Sequence, residues 1–215
     1  QGKLILATGS NPVVPKIKGV ELQNVYTIKK DVEYLARLSA EVEKAKNVVI
    51  IGGGFIGVEV ADDLSKKGLN ISIVEMLPHC LQLAFDEEFC TLAEETLRSL
   101  KVNLVTGTVA EEFIGKEKVE RVRLSSGETL EADLVIIAIG TYPNTELAQK
   151  AGLKIGEQRG IWVDEYMRTV DGDIFAAGDC AEKTSFFTGK PMALRLASLA
   201  TMEARVAGAN VYGLK

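Results

Sequence analysis

The sequence predicts an α/β fold built on a parallel sheet, and three observations carry that prediction. Short apolar runs of strand length recur between amphipathic stretches of helix length, the pattern of strands covered on both faces. One run, Val48-Val49-Ile50-Ile51, ends on Gly52, Gly54 and Gly57 in G-x-G-x-x-G spacing, where a helix must begin. A second run, residues 71–74, closes on Glu75, which stands 75 − 52 = 23 residues beyond the first glycine.

In chain order, residues 3–7 read as an apolar strand broken by Thr8-Gly9-Ser10-Asn11-Pro12. The chain opens in mid-strand, although so apolar a strand needs neighbours on both sides. Residues 13–25, with a proline and a Lys-Gly turn, read as a connector. Residues 29–45 set Val32, Leu35, Leu38 and Val42 among charges, an amphipathic helix with Asp31 near its start. The glycine-rich unit follows. Pro78 then closes a loop, and residues 86–100 form a helix with acids first and Arg98 and Lys101 at its end, matching the helix dipole. Residues 102–105 are the next parallel strand. Short alternating segments at 109–114, 119–124 and 129–130 predict an antiparallel β-meander in place of a crossover helix, and residues 133–139 a last apolar strand ending in Gly140. Beyond it come a helix over 144–151, a short strand over 160–163, a strand over 173–177 closing on Gly178-Asp179, and a final alanine-rich helix over 192–211.

Each glycine of the central unit has a mechanical task. Gly52 turns tightly out of the strand, Gly54 lets backbone approach a pyrophosphate, and Gly57 lets the helix lie close to the sheet. The unpaired amides of the helix N-terminus and its dipole then favour an anion. A carboxylate at the end of the second strand can accept hydrogen bonds from both hydroxyls of an adenosine ribose. The unit thus predicts a Rossmann-like dinucleotide site. A 2′-phosphate would meet Glu75, while Met76, Leu77 and Pro78 offer no cation, so NADH is expected over NADPH.

Composition narrows the partners. With 215 residues and 47% hydrophobic content the chain has room for one large or two small domains. A net charge of −5 and a pI near 5.2, without a basic cluster, argue against nucleic acid or an anionic membrane surface. No apolar run nears the roughly 18 residues that span a bilayer, and no signal peptide is visible, so a cytoplasmic protein is expected. Cys80, Cys90 and Cys180 show neither C-x-x-C nor metal-ligand spacing; they read as small buried apolar groups, and no metal site is expected. The single histidine, His79, reads as structural.

The ending of the strand at 134–139, followed by Gly140-Thr141-Tyr142-Pro143, echoes the ending at 3–12: both are an apolar strand and then A-x-G-[ST]-x-P. Such a repeat implies two nucleotide-binding domains of like design.

Together these motifs resemble the flavin-dependent pyridine nucleotide–disulfide oxidoreductase superfamily, in particular its NADH oxidase and coenzyme A disulfide reductase branch. The marks are A-T-G-S from Ala7, Thr8 and Gly9, G-G-G-F-I-G-V-E over 52–59, A-I-G-T-Y-P-N over 138–144, and D-I-F-A-A-G-D over 173–179. The resemblance covers essentially the whole chain. It implies FAD and NADH as cofactors, with residues 1–27 the end of a first FAD-domain segment and connector, 28–143 the NAD-binding domain and 144–215 a second FAD-domain segment. Asp179 would hold a ribityl hydroxyl of FAD, unless it is simply a turn acid or helix cap. The backbone of Leu196 and Ala197 would lie near the flavin ring, with plain helix core as the alternative. Phe55, Ile56 and Glu59, on one face of the glycine-rich helix, would receive the nicotinamide; packing explains the first two equally well, whereas a charge in the first turn under a sheet needs a partner. Gly140 either brings backbone to the dinucleotide or merely turns the chain.

The sequence departs from the family pattern in lacking a first G-x-G-x-x-G for FAD and the catalytic cysteine behind it, and in lacking the dimerisation domain expected after Gly213. It is therefore expected to be a fragment with no catalytic residue of its own and its redox cysteine upstream, inactive alone. The resemblance gives the intact enzyme as a homodimer that passes hydride from NADH to FAD and electrons to a small-molecule or disulfide acceptor. Two other readings stand beside it: a reductase for a small iron–sulfur electron carrier, and a non-catalytic NAD-binding module.

Overall fold

The computed structural model describes residues 2–213. The chain forms two compact units, one from Pro12–Gly140 and one from Gln1–Asn11 with Thr141–Lys215. It starts with β1 (Leu4–Leu6) and leaves the split unit through β2 (Ser10–Pro12).

The continuous unit contains β3 (Val25–Thr27), α1 (Val32–Val42), β4 (Asn47–Ile51), α2 (Phe55–Ser65), β5 (Asn70–Val74), α3 (Glu87–Ser99), β6 (Asn103–Val105), β7 (Ala110–Ile114), β8 (Arg121–Leu124), β9 (Thr129–Glu131) and β10 (Leu134–Ile137). Five strands form a parallel sheet in the order β3-β10-β4-β5-β6, with Val48 opposite Ile71 and Leu134 opposite Val48. β7, β8 and β9 form the predicted antiparallel meander. This is the Rossmann-like α/β fold that the sequence predicts.

The apolar runs have no polar alternation because both faces of the sheet are covered. Val48, Ile50, Ile71, Ile73, Leu134 and Ile136 point to one face and pack with Leu38 and Val42 of α1, Ala61 and Leu64 of α2 and Leu97 of α3. The intervening residues Val49, Ile51, Val74, Val135 and Ile137 pack with Phe113, Val122 and Leu124 of the meander. Successive side chains of a strand alternate faces, so one run feeds two cores. Each fully buried branched side chain contributes about 1.5–3 kcal/mol.

The helix limits follow local chemistry. The Asp31 carboxylate accepts from the Tyr34 N–H at 2.7 Å and caps α1. Within its apolar stripe only Leu38 and Val42 are buried; Val32 and Leu35 stay exposed, so only the second half of the stripe is covered. α3 begins after Asp86 and carries Glu87 and Glu88 in its first turn and Arg98 in its last.

The split unit continues through β11 (Thr141–Pro143), α4 (Glu146–Lys150), β12 (Ile174–Ala176), a 3-10 turn at Gly178–Cys180, β13 (Lys183–Thr184), β14 (Pro191–Met192) and α5 (Ala197–Val211). β1 pairs in parallel with β12, Leu6 opposite Ala176. Among the described residues β12 is its one neighbour, which leaves Leu4 and Ile5 half exposed.

Three sequence expectations shift. Residues 25–27 are a sheet strand rather than the end of a connector. Residues 160–163 form no strand; Ile161 makes only single bridges, to Ile155 and Ala181. The last helix starts at Ala197, not 192, because Pro191 and Met192 pair with Thr184 and Lys183 in a hairpin.

Candidate functional site

In the continuous unit the chain moves from β4 outward through β5 to β6 and returns on the other side of β4 as β10. β4 therefore ends at a topological switch point, where a doubly wound sheet opens a crevice at its carboxyl edge. The glycine turn lies there. Gly52 has φ +106°, and a Cβ on it would stand 2.6 Å from the Ala138 carbonyl oxygen. A Cβ on Gly57 would collide with the Gly52 carbonyl oxygen. Both glycines are dictated by packing. Gly54 is different: it is exposed, a Cβ there would meet nothing within 4 Å, and it caps α2 with no side-chain hydrogen bond. α2 thus begins with no side-chain cap on its first amides and an exposed glycine at its entry, an arrangement suited to a phosphate.

Glu75 sits at the end of β5 with both carboxylate oxygens engaged. Oε2 accepts from the Gly53 N–H at 2.6 Å and Oε1 from the Leu77 N–H at 2.7 Å. A carboxylate has about four acceptor positions, so each oxygen retains one for a diol. Behind it the loop after β5 is anchored from α3. Glu94, 4% exposed, accepts from the Cys80 N–H at 3.0 Å and from Arg98 at 3.1 Å, and lies 3.4 Å from His79 Nδ1. Burial, then the nearby Glu94 and Glu75 charges, push the Cys80 thiol up to about 12. His79, read as structural from the sequence, sits beside this anchor with its Nδ1 buried and without a hydrogen-bond partner among the described residues. Glu94 had a legible signal, since it shares the face of Cys90 and Leu97 at helical spacing, yet an acid on that face reads as exposed.

On the first turn of α2, Phe55 is half exposed and meets the Phe85 ring edge-on, centroids 5.9 Å apart. Ile56 packs partly on the helix-side core. Glu59 is exposed rather than tucked under the sheet, so it has no need of a buried partner. Gly140 has φ +99° with open space where a Cβ would be, and its carbonyl accepts from the Val13 N–H.

In the split unit the repeated motifs clasp one another. Thr8 Oγ1 donates to the Asn144 carbonyl, Asn144 Nδ2 donates to the Thr8 carbonyl, and the Asn144 N–H donates to Gly9. Ala7 is exposed beside this clasp. Ser10 Oγ donates to Asp179 Oδ2 at 2.7 Å. Asp179 stands in the 3-10 turn after Gly178, whose φ is +80°. That turn is tied to α5 by a pair invisible in the sequence: Lys183 Nζ donates to the Gly178 carbonyl, the Ala181 carbonyl and Glu203 Oε2, which also accepts from the Gly178 N–H. Leu196 precedes α5 as an exposed, uncapped N-terminus, with Ala197 its first residue. Burial lowers the Arg195 pKa, partly offset by Asp179, and its guanidinium donates to the Thr141 carbonyl. Cys180 is fully buried. Among the described residues no cluster of His, Cys, Asp or Glu could hold a metal, and no helix is long and apolar enough to cross a membrane.

A family model described as pyridine nucleotide-disulphide oxidoreductase matches residues 1–204. The chain belongs to this family. Among pyridine nucleotide-disulphide oxidoreductases it is 39% identical over 211 residues to the NAD(P)H coenzyme A polysulfide/persulfide reductase of Pyrococcus horikoshii, covering 98% of this chain and 47% of that protein. It is 36% identical over 213 residues to the NADH oxidase of Methanocaldococcus jannaschii, covering 99% and 47%. A solved NAD-dependent persulfide reductase from A. fulgidus superposes with a TM-score of 0.93 at 39% identity, over 98% of this chain and 39% of that one. The chain thus spans less than half the length of these family members.

Proposed function

We propose that this chain supplies the NAD-binding domain and two flanking FAD-domain segments of an FAD-dependent NADH oxidoreductase of the NADH oxidase and disulfide reductase type. The bounds expected from sequence, 28–143 for the NAD-binding domain with 1–27 and 144–215 flanking it, shift to Pro12–Gly140 with Gln1–Asn11 and Thr141–Lys215, because β3 at 25–27 belongs to the parallel sheet. The observation that carries the reading is the pairing of an open Gly54 at an uncapped helix N-terminus with a Glu75 carboxylate at the neighbouring strand end. The residues fit an adenine dinucleotide: nothing in the protein requires glycine at 54, and main-chain donors fix the acid while leaving acceptor capacity.

Each residue then has a task. The amides at the start of α2 hold the diphosphate, with Gly54 giving close access. Glu75 accepts the ribose hydroxyls and repels a 2′-phosphate. Phe55, Ile56 and Glu59 orient the nicotinamide, and Gly140 offers backbone to the dinucleotide. Ala7, Thr8 and Gly9 line the flavin side with Asp179 as the acceptor for a ribityl hydroxyl, and the N-terminus of α5 at Leu196 and Ala197 faces the ring. Bound in this way, nicotinamide and flavin would supply the hydride-transfer chemistry, and the residues of each unit would orient the one they hold.

Relatives named persulfide reductase and NADH oxidase support a small-molecule or disulfide acceptor. The intact enzyme on this reading is a homodimer. Three free, buried cysteines favour a reducing compartment, the cytoplasm. The test is spectroscopic: the intact protein purifies with stoichiometric FAD whose visible band is bleached by NADH without oxygen. A flavin-free protein, or a band that NADH leaves unchanged, refutes the proposal.

A further inference from the structure

The G-x-G-x-x-G pattern leaves positions 53, 55 and 56 open to any side chain, but Gly53 has no room for one in the structure. It is buried, and a Cβ there would stand 2.7 Å from Cys80 Sγ, 3.1 Å from Glu75 Cβ and 3.2 Å from Glu75 Cγ. Its main chain works in two directions. The N–H donates to Glu75 Oε2 at 2.6 Å, and the carbonyl accepts from the Leu81 N–H at 2.8 Å. Leu81 itself holds a left-handed φ of +62°, a conformation that a non-glycine residue keeps only when its surroundings enforce it. Cys80, between these contacts, has its own N–H held by the buried Glu94.

Resting on the reading of Glu75 as the ribose acid, we propose that Gly53 and Cys80 are positioning residues for the nucleotide: the bare α-carbon, backed by the cysteine sulfur, fixes the Glu75 carboxylate and the loop after β5 in one arrangement. Neither residue touches the nucleotide. The Gly53 N–H sets where Glu75 Oε2 sits, and Leu77 N–H sets Oε1, so the carboxylate is oriented before a ligand arrives. The sulfur fills the space on the other side of Gly53 without adding charge. Burial keeps Cys80 as a neutral thiol, so no second anion competes with Glu75 for the diol.

The test is a binding cycle on the chain, with NADH and NADPH dissociation constants from fluorescence titration and folding checked by circular dichroism. Gly53→Ala forces Cys80 and Glu75 apart and is expected to weaken NADH binding by about 10-fold or more, the scale of an overpacked core contact. NADPH binding should fall less, because the displaced carboxylate no longer repels the 2′-phosphate as strongly. Cys80→Ala alone removes the sulfur that backs Gly53 and should itself weaken NADH binding, by about 3-fold, yet adding it to Gly53→Ala should recover part of that variant's loss, since contacting residues are non-additive. If Gly53→Ala does not fold, Cys80→Met presses on the same α-carbon from the other side and should shift the NADH-to-NADPH ratio in the same direction. Parent-like NADH binding in Gly53→Ala, or a double variant no better than the single one, overturns the proposal. Glu75→Ala separates the two levels: if it alone loses NADH while Gly53→Ala and Cys80→Met do not, only the positioning role fails. If Glu75→Ala binds NADH like the parent, the ribose assignment fails as well.

Discussion

Replacing Lys183 by Met removes the cation that ties the Gly178–Cys180 turn to α5. The Lys183 side chain is 8% exposed and that of Glu203 12%, so water does little for either charge. Lys183 Nζ has three acceptors, at 2.6 Å, 2.9 Å and 3.0 Å. In Lys183→Met the Glu203 carboxylate keeps only the Gly178 N–H, and a buried charge stripped of its partner costs about 3–5 kcal/mol. Adding Glu203→Gln removes the stranded charge while keeping an acceptor for Gly178. The double variant should then lose only the ordinary value of its hydrogen bonds, about 1–2 kcal/mol. Trp162, the single tryptophan, lies in the same unit, so its fluorescence during chemical denaturation reports this unfolding directly. The expected order of stability is parent, double variant, then Lys183→Met, with about 2 kcal/mol between the last two. A Lys183→Met protein as stable as the double variant would refute the reasoning.

Three further expectations concern the continuous unit. Gly54→Ala should melt like the parent yet bind NADH at least about 10-fold more weakly, while Gly52→Ala, strained by φ +106° and the Ala138 carbonyl, should lose about 2 kcal/mol or more in a denaturation curve. Glu75→Gln keeps the shape but must turn its NH2 against either the Gly53 or the Leu77 N–H, so calorimetry should show weaker NADH binding and denaturation a loss of about 1–3 kcal/mol. Cys80 and Cys90 should resist a thiol-specific reagent in the native protein and react on unfolding. Because the unfolded Cys80 thiol ionises near its ordinary 9.0 and the folded one near about 12, stability should fall as pH rises through that window. A native protein that reacts at once, or stability that rises over that window, would contradict the burial of Cys80.

The glycine-rich unit was legible because its spacing, a strand followed by three glycines and a helix, is a local pattern, although Gly52 also answers to the distant Ala138 carbonyl. Four apolar residues feed two cores through strand alternation, and the glycines answer to contacts with their own turn and the adjoining β10 exit. Asp31 stood near the start of the helix expected over 29–45, which begins only at Val32 after that cap, and the acids from Asp86 matched the start of α3. What the sequence hid is set at a distance. Gly53 is constrained by Glu75 and Cys80, 22 and 27 residues further on, so its neighbours in sequence say nothing of its crowding. Lys183 and Glu203 stand 20 residues apart on a hairpin and a helix, and no local pattern distinguishes a buried pair from two surface charges. The start of α5 was misplaced because the apolar residues near Met192 belong to a hairpin, whose pairing partner lies upstream. β3 is three residues long, too short for any period to show.

In the proposed function, Glu75 takes the adenosine ribose and the amides of α2 take the diphosphate. Calorimetric titration of the chain with ADP-ribose and with its 2′-phosphorylated form tests that most directly, because both lack the nicotinamide and differ only at the ribose hydroxyl proposed to meet Glu75. Saturable heat with ADP-ribose, and at least about 10-fold weaker binding of the phosphorylated form, is the expected result. Equal or tighter binding of the 2′-phosphorylated form, or no heat with either, would contradict it.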